Sequence, residues 1–381
     1  GYGREGKSTE QFINTYCSVA SLEVFEGKRE DIDESKYDYI IKSPGIHAED
    51  LSDKYTSQTE LFLEEFSART IGITGTKGKS TTSSLMYHVL SDCLDSKVFL
   101  VGNIGIPCLD FYDKIDADTV VVFEMSCHQL AKISCSPHIA VFLNLYEEHL
   151  DYYKTLENYF SKKKNITLFQ TEKDYFYYGD NVPEIETKAT AQMIQFDSGM
   201  RFDMKLLGEH NQFNAVFVYK VCSELFGLSD AKIRESIATF EGLNHRMQYV
   251  GNYNGIDFYN DSISTIPNAT IQAINSIQNT KTVLIGGMDR KIDYSVLVDF
   301  IKKHNEYYYI MSYESGKRIY NEVSQLDYCC CVEDLKEAVE KAKEITPKGK
   351  ACVFSPAAAS YGYFKNFEER GEAYMKHVRE G

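Results

Sequence analysis

The chain has 381 residues, with 43% hydrophobic and 25% charged residues and a formal net charge of −15 at pH 7. At roughly 100–200 residues per domain, this length predicts two or three globular domains, each able to bury a core. The acidic balance argues against a nucleic-acid partner, because neutralising a phosphate backbone needs a surplus of Lys and Arg. No apolar run reaches the roughly 20 residues of a membrane span, so no membrane insertion is expected. No signal-peptide pattern is visible, and the ten cysteines contain no C-x-x-C pair. Free thiols in a reducing, cytoplasmic compartment are the expectation.

The first block covers 1–68. Gly1-Tyr2-Gly3-Arg4-Glu5-Gly6 matches G-x-G-x-x-G but lacks the strand that should precede it. A nucleotide-type turn and a plain glycine-rich end are equally good readings, and the natural chain is expected to begin a few residues earlier. A short strand, Tyr37-Asp38-Tyr39-Ile40-Ile41, leads into the turn Ser43-Pro44-Gly45. The second block, 69–243, opens with the strand Ile71-Gly72-Ile73-Thr74, the loop Gly75-Thr76-Lys77-Gly78-Lys79-Ser80 and a helix whose apolar face is Leu85, Met86, Val89 and Leu90. Continuous apolar runs at 119–123 and 139–143, separated by helical segments, indicate parallel strands covered on both faces. The third block, 244–381, repeats this alternation with strands at 282–285, 307–310 and 351–354 and a helix over 333–345. The fold class is therefore α/β with parallel sheets.

The loop at 75–80 is a phosphate-binding loop. Its glycines let backbone N–H groups approach phosphates, Lys79 reaches the β- and γ-phosphates, and Ser80 is placed to hold Mg²⁺. It departs from the strict G-x-x-x-x-G-K-[ST] spacing, with Ile73 where glycine is required. Glu124, at the end of an apolar strand, is either a Mg²⁺ ligand or a helix cap, and His149, after the next strand, is either a metal ligand or an exposed histidine. Within Lys162-Lys163-Lys164, helical spacing sets Lys163 among Tyr159, Phe160 and Ile166, so it points inward and needs a partner or a modification. Asn211 and Asn214 share one helix face and either read an adenine edge or form a polar helix start. Arg246 and Asp261 suit phosphate and ribose or metal-water contacts, or else a surface ion pair and a turn.

Together these residues resemble the Mur ligases of bacterial cell-wall synthesis. The loop is similar to that family's Thr-Gly-Thr-Asn-Gly-Lys-Ser/Thr-Thr, with Lys77 in place of the usual Asn, and His210-Asn211-Gln212-Phe213-Asn214 matches its His-Asn-x-x-Asn motif. Ser43-Pro44-Gly45-Ile46, Gly102-Asn103-Ile104-Gly105, Glu124-Met125-Ser126, Gly242-Leu243-Asn244-His245-Arg246 and the stretch from Ser355 to Gly371 extend the match along the chain. The resemblance implies three domains: a Rossmann-like UDP-binding domain (1–68), a central P-loop ATPase domain (69–243) and a C-terminal Rossmann-like domain that binds the amino acid (244–381).

The implied activity is ATP-dependent addition of D-glutamate to UDP-N-acetylmuramoyl-L-alanine through an acyl phosphate, by a monomer. Gly3, Arg4, Glu5, Gly6, Ser43, Pro44, Gly45, Asn103 and Ser126 would hold the UDP substrate. Gly75 to Ser80, Thr81, Asn211, Asn214, Arg246 and Asp261 would hold ATP. Two Mg²⁺ ions would use Ser80, Glu124, His149 and a carbamylated Lys163, with Lys79, Glu124, His149 and Lys163 as the catalytic set. Thr265, Arg290, Ser360, Tyr361 and Phe367 would line the glutamate pocket. There, Ile263 replaces a family lysine and Arg290 stands where lysine is common. The alternatives are the same ligation with L-glutamate and a catalytically inactive nucleotide-binding regulatory protein.

Overall fold

A computed structural model describes residues 1–46, 51–104, 106–148, 150–196, 199–206 and 208–380. They form two compact units, Gly1–Phe240 and Glu241–Gly381. The finer division at residue 68 lies inside the first unit.

The first unit begins with a helix, Arg4–Tyr16, and a two-stranded parallel ribbon of β1 (Ile40–Lys42) and β2 (Tyr55–Ser57). The strand expected over 37–41 is found as Ile40–Lys42, and ahead of it the Lys54 ammonium donates to the Tyr37 carbonyl at 2.7 Å. The remainder is built on β3 (Thr70–Thr74), β4 (Val98–Gly102), β5 (Val120–Glu124), β6 (Ile139–Phe142), β7 (Tyr175–Gly179) and β8 (Thr190–Ile194). These pair in the order β4-β5-β3-β6-β7-β8, every pair parallel.

The apolar runs are continuous because alternate residues feed two cores. Ile71, Ile73, Val122 and Val141 pack with Leu85, Met86, Val89 and Leu90 of the helix Lys79–Cys93 and with the helix Glu209–Leu225. Val121, Phe123, Ala140 and Phe142 face the other way and meet Phe62, Leu63 and Phe66 of the helix Gln58–Phe66. Strand order reverses at β3, with β5 on one side and β6 on the other. In open α/β sheets that switch point opens a ligand crevice at the strands' carboxyl ends.

The second unit carries β9 (Gln248–Tyr253), β10 (Ile256–Asn260), β11 (Thr280–Gly286), β12 (Tyr308–Ser312), β13 (Cys329–Cys331) and β14 (Ala351–Phe354), in the order β13-β12-β11-β14-β10-β9. Only the β9–β10 hairpin is antiparallel. The helix expected over 333–345 runs Leu335–Ile345, since Asp334 caps it by accepting from the Glu337 N–H at 2.9 Å. All ten cysteines are free. No described helix is long and apolar enough to cross a membrane.

Phe62 is fully buried and meets Phe123 of β5 edge-on, with ring centroids 5.6 Å apart. It fastens the helix before β3 to the sheet. Phe62→Ala is expected to cost about 3–5 kcal/mol, as large-to-small changes at buried aromatics do. Chemical denaturation followed by circular dichroism checks this; an unchanged midpoint would contradict the packing described.

Candidate active site

The phosphate loop leaves a strand that is buried along its whole length and ends where the helix Lys79–Cys93 begins. Gly78 has φ +83°, and a Cβ there would lie 2.6 Å from Asn214 Oδ1. The loop therefore rests on the helix Glu209–Leu225, and only glycine fits. Asn211 and Asn214 are both buried on that helix, with Asn214 Nδ2 donating to Asn211 Oδ1 at 3.4 Å.

From β6 comes a residue that the sequence reading missed. Asn144 accepts the Lys77 N–H through Oδ1 at 2.9 Å and donates to the Lys77 carbonyl at 3.1 Å, while its own carbonyl takes the Thr76 N–H at 2.9 Å. Thr76 Oγ1 also accepts the Tyr146 N–H at 2.9 Å. A polar residue directly after an apolar strand, the signal that singled out Glu124, was present at Asn144 as well. The Lys77 ammonium lies 2.6 Å from Glu148 Oε1, but with Lys77 more than half exposed the pair adds little stability.

Two cations converge on the loop's first carbonyl. Lys79 Nζ donates to the carbonyls of Gly75 and Thr76, both at 2.9 Å, and Lys163 Nζ donates to the Gly75 carbonyl at 2.7 Å and to Thr74 Oγ1 at 3.3 Å. Lys163 is 1% exposed, so helical spacing read its direction correctly, and its ammonium sits 4.9 Å from the Tyr159 ring centroid. Burial, then repulsion from Lys79, pushes the Lys163 amine down to about 7. Burial also lowers Lys79, opposed by the nearby Glu124 and Glu148 carboxylates.

Glu124, fully buried at the end of β5, uses one oxygen to accept from Asn103 Nδ2 at 2.7 Å. Its other oxygen, Oε2, has no partner. An orphaned buried carboxylate oxygen is costly unless something positive meets it, which fits a Mg²⁺ ligand. Among the described residues no group of three or more His, Cys, Asp or Glu could hold a metal ion. Ser80 and Thr81 are half-buried at the start of the helix. His149 lies outside the described residues.

Most of the residues assigned to the UDP substrate gather around the start of the chain, whereas Asn103 lies at Glu124. Gly3 caps the helix Arg4–Tyr16, and Ser43 Oγ donates to the Gly1 carbonyl at 2.7 Å, so the glycine-rich turn and Ser43-Pro44-Gly45 lie together. Arg4 and Gly45 are exposed, whereas Gly6 is half-buried. Glu5 accepts from Gln129 Nε2 at 2.8 Å, and Gln129 completes a capping box with Ser126 on the short helix Cys127–Leu130. Gln129 thus ties Glu5 to Ser126, a second link the sequence did not disclose.

In the second unit Asp261 is buried, accepting from Ser355 Oγ at 2.7 Å and from the Met247 N–H at 3.1 Å. Burial raises its carboxyl to about 6, against the pull of these hydrogen bonds and of Arg246. Arg290, exposed, donates to the Thr265 carbonyl at 3.2 Å, which brings two of the pocket candidates together. Ser360 is buried, Tyr361 is 61% exposed, and Phe367 opens the helix Phe367–Arg379. The Ile263 N–H is spent on the His245 carbonyl at 3.1 Å.

The pair of hydrogen bonds between Asn144 and the Lys77 backbone holds the middle of the phosphate loop. Asn144→Ala is expected to weaken ATP binding by about tenfold, the cost of freeing two loop hydrogen bonds. Titration calorimetry with ATP measures it; an unaltered affinity would remove Asn144 from this role.

Comparison with known proteins agrees with this architecture. The family model described as Mur ligase middle domain matches residues 73–192, and that described as Mur ligase, glutamate ligase domain matches 245–358. A UDP-N-acetylmuramoylalanine–D-glutamate ligase of Lactobacillus johnsonii is 33% identical over 92% of this chain and 85% of its own length. Its counterpart from Oenococcus oeni is 31% identical over 100% of this chain and 95% of its own. Among solved structures, MurF from Acinetobacter baumannii superposes with a TM-score of 0.62 at 16% identity, covering 85% of this chain and 79% of that one. MurF ligase from Thermotoga maritima, in complex with ADP, gives 0.60 at 17% identity over 90% and 89%. These two carry the fold alone; the sequence identity to the two D-glutamate ligases, over nearly the whole chain, carries more, and by it the chain belongs to the Mur ligase family.

Proposed function

We propose that this chain joins D-glutamate to UDP-N-acetylmuramoylalanine at the expense of ATP, a step of peptidoglycan precursor synthesis, and that it works as a cytoplasmic monomer. The observation that carries the reading is the convergence of Lys79 and Lys163 on Gly75, beside the half-satisfied Glu124. Relatives named as D-glutamate ligases over nearly the whole chain support the choice of substrates.

The chemistry follows from charge. A carboxylate oxygen of the UDP substrate attacks the γ-phosphorus, and the bond from that phosphorus to the β–γ bridging oxygen breaks, giving an acyl phosphate and ADP. The glutamate amine then attacks the acyl carbon, loses a proton, and phosphate departs from the tetrahedral intermediate. The first step brings a carboxylate against a triphosphate, so cations held in advance contribute most. Lys79 leaves its loop carbonyls for the β- and γ-phosphates, and the loop's N–H groups and the helix behind it receive the remaining negative charge. Asn211 and Asn214 serve the nucleotide. Ser80 and Glu124 would hold Mg²⁺, which would supply further neutralisation of the phosphate oxygens. Asn103, through its bond to Glu124, orients that carboxylate.

Lys163 is assigned as a carbamate, formed when its amine adds to CO₂ and releases a proton, and able to bind a second Mg²⁺. Only the neutral amine has the lone pair. With the amine pushed down to about 7, it is an ammonium below that pH and an amine above it. At fixed dissolved CO₂, carbamate should therefore appear as pH rises through about 7. Carbon-13 NMR with labelled CO₂ should show a signal that grows across this range and is missing in Lys163→Ala. A signal that ignores either the pH or the substitution would refute the assignment.

The function itself is tested by phosphate release with UDP-N-acetylmuramoyl-L-alanine and each enantiomer of glutamate. D-glutamate should be preferred by at least about a hundredfold in kcat/KM, about 3 kcal/mol of transition-state discrimination. Preference for L-glutamate would reassign the amino acid. ATP binding without turnover on either would identify a nucleotide-binding protein rather than a ligase.

A further inference from the structure

Arg370 is completely buried in the second unit and pairs with no carboxylate among the described residues. Its Nε donates to Ser262 Oγ at 3.1 Å, Nη2 to the Ser262 carbonyl at 2.7 Å and Nη1 to the Ala358 carbonyl at 2.9 Å. A Cβ on Gly287 would run into the Ala359 carbonyl and come within 2.8 Å of Nη1, so glycine lets the third loop lie against both the guanidinium and the loop after β14. Buried cations are normally matched by an anion. Here three neutral acceptors satisfy hydrogen bonds but leave the charge uncompensated, and burial brings the guanidinium down only to about 10, so it stays positive at neutral pH.

The three loops it touches follow β10, β14 and β11, at the carboxyl ends where a parallel sheet receives its ligands. Ser262 lies three residues before Thr265, Ala358 two before Ser360, and Gly287 three before Arg290. Phe367 is one turn earlier on the helix that carries Arg370, and its carbonyl accepts from Ser262 Oγ at 2.8 Å. One guanidinium thus braces every segment that carries a residue assigned to the glutamate pocket. Glutamate bears two carboxylates and one ammonium, so it enters with the negative charge this site lacks.

We infer that Arg370 is the positioning residue of the amino-acid pocket: its planar fork sets the spacing of the loops after β10, β11 and β14, and its uncompensated charge makes the pocket select an acidic amino acid. This rests on the reading that the second unit receives glutamate. Arg370→Lys keeps the charge and loses the fork, and Arg370→Met loses both.

Steady-state kinetics of the full chain with all three substrates is the test. In Arg370→Lys, KM for D-glutamate should rise by about tenfold while KM for ATP stays within about twofold. In Arg370→Met, the preference for D-glutamate over D-glutamine, read from the D-glutamine inhibition constant, should fall by a further factor of about ten. Parallel rises in all KM values, or an unchanged preference in a folded Arg370→Met, would overturn the proposal. Should both variants fail to fold, Ser262→Ala removes the hydroxyl shared by Arg370 and Phe367 and leaves the charge in place. It should raise KM for D-glutamate about fivefold and leave ATP unaffected, and an unmoved KM for D-glutamate would refute the bracing role. Wild-type protein that fails to use D-glutamate at all would count instead against the proposed function.

Discussion

The Gly75 carbonyl accepts from the side-chain nitrogens of two lysines, and much of the first unit exists to hold them there. Lys79 reaches it from the start of its own helix, and Lys163 arrives from the far side of the sheet, on a helix that buries the rest of its face. Burial, and after it repulsion from Lys79, lowers the Lys163 amine. Glu124, whose carboxylate acts on both lysines, commits only one of its oxygens, and to a neutral amide. The site is thus assembled around charges that the protein does not itself balance, which is the condition under which a triphosphate with its metal binds well.

Sheet topology makes this possible. With β3 flanked by β5 and β6, the phosphate loop, Glu124 and Asn144 leave three adjacent strands at the same edge, though Thr74 and Asn144 are separated by 69 residues of chain. The second unit uses the same device: β10, β14 and β11 are neighbours, and the loops that follow them are tied by Arg370. In both units side chains fix loops that local sequence leaves free: Lys79, Lys163 and Asn144 in the first, Arg370 in the second. In the first unit the ties are carbonyl–ammonium and amide bonds, and in the second a guanidinium fork.

Much of this was legible in the residues. Strand, glycine loop and helix follow one another at 70–93, and loop chemistry depends only on neighbours in the chain. The inward direction of Lys163 followed from its place one turn beyond Tyr159, a matter of helical period. The Tyr37–Ile41 strand was legible only in part, because its extent depends on the partner strand Tyr55–Ser57, which pairs only with Ile40–Lys42. Asn144, Gln129 and Arg370 were not recognised at all. Each has an ordinary residue type, and each acts on a partner between 67 and 124 residues away, besides the nearer bonds of Gln129 to Ser126 and of Arg370 to Ala358.

By itself the sequence determined the α/β alternation, the phosphate loop, the buried lysine and the likeness to the Mur ligases, since all of these rest on period, spacing and motif. Tertiary structure alone decided that Glu124 keeps an orphan oxygen, that Lys79 and Lys163 share a carbonyl, that Thr265 and Arg290 meet, and that one guanidinium spans three loops. The physical reason is that hydrogen-bond satisfaction and charge balance are properties of an enclosed space. Which groups enclose it depends on strand order, and strand order is set by the packing of whole layers rather than by any local stretch of chain.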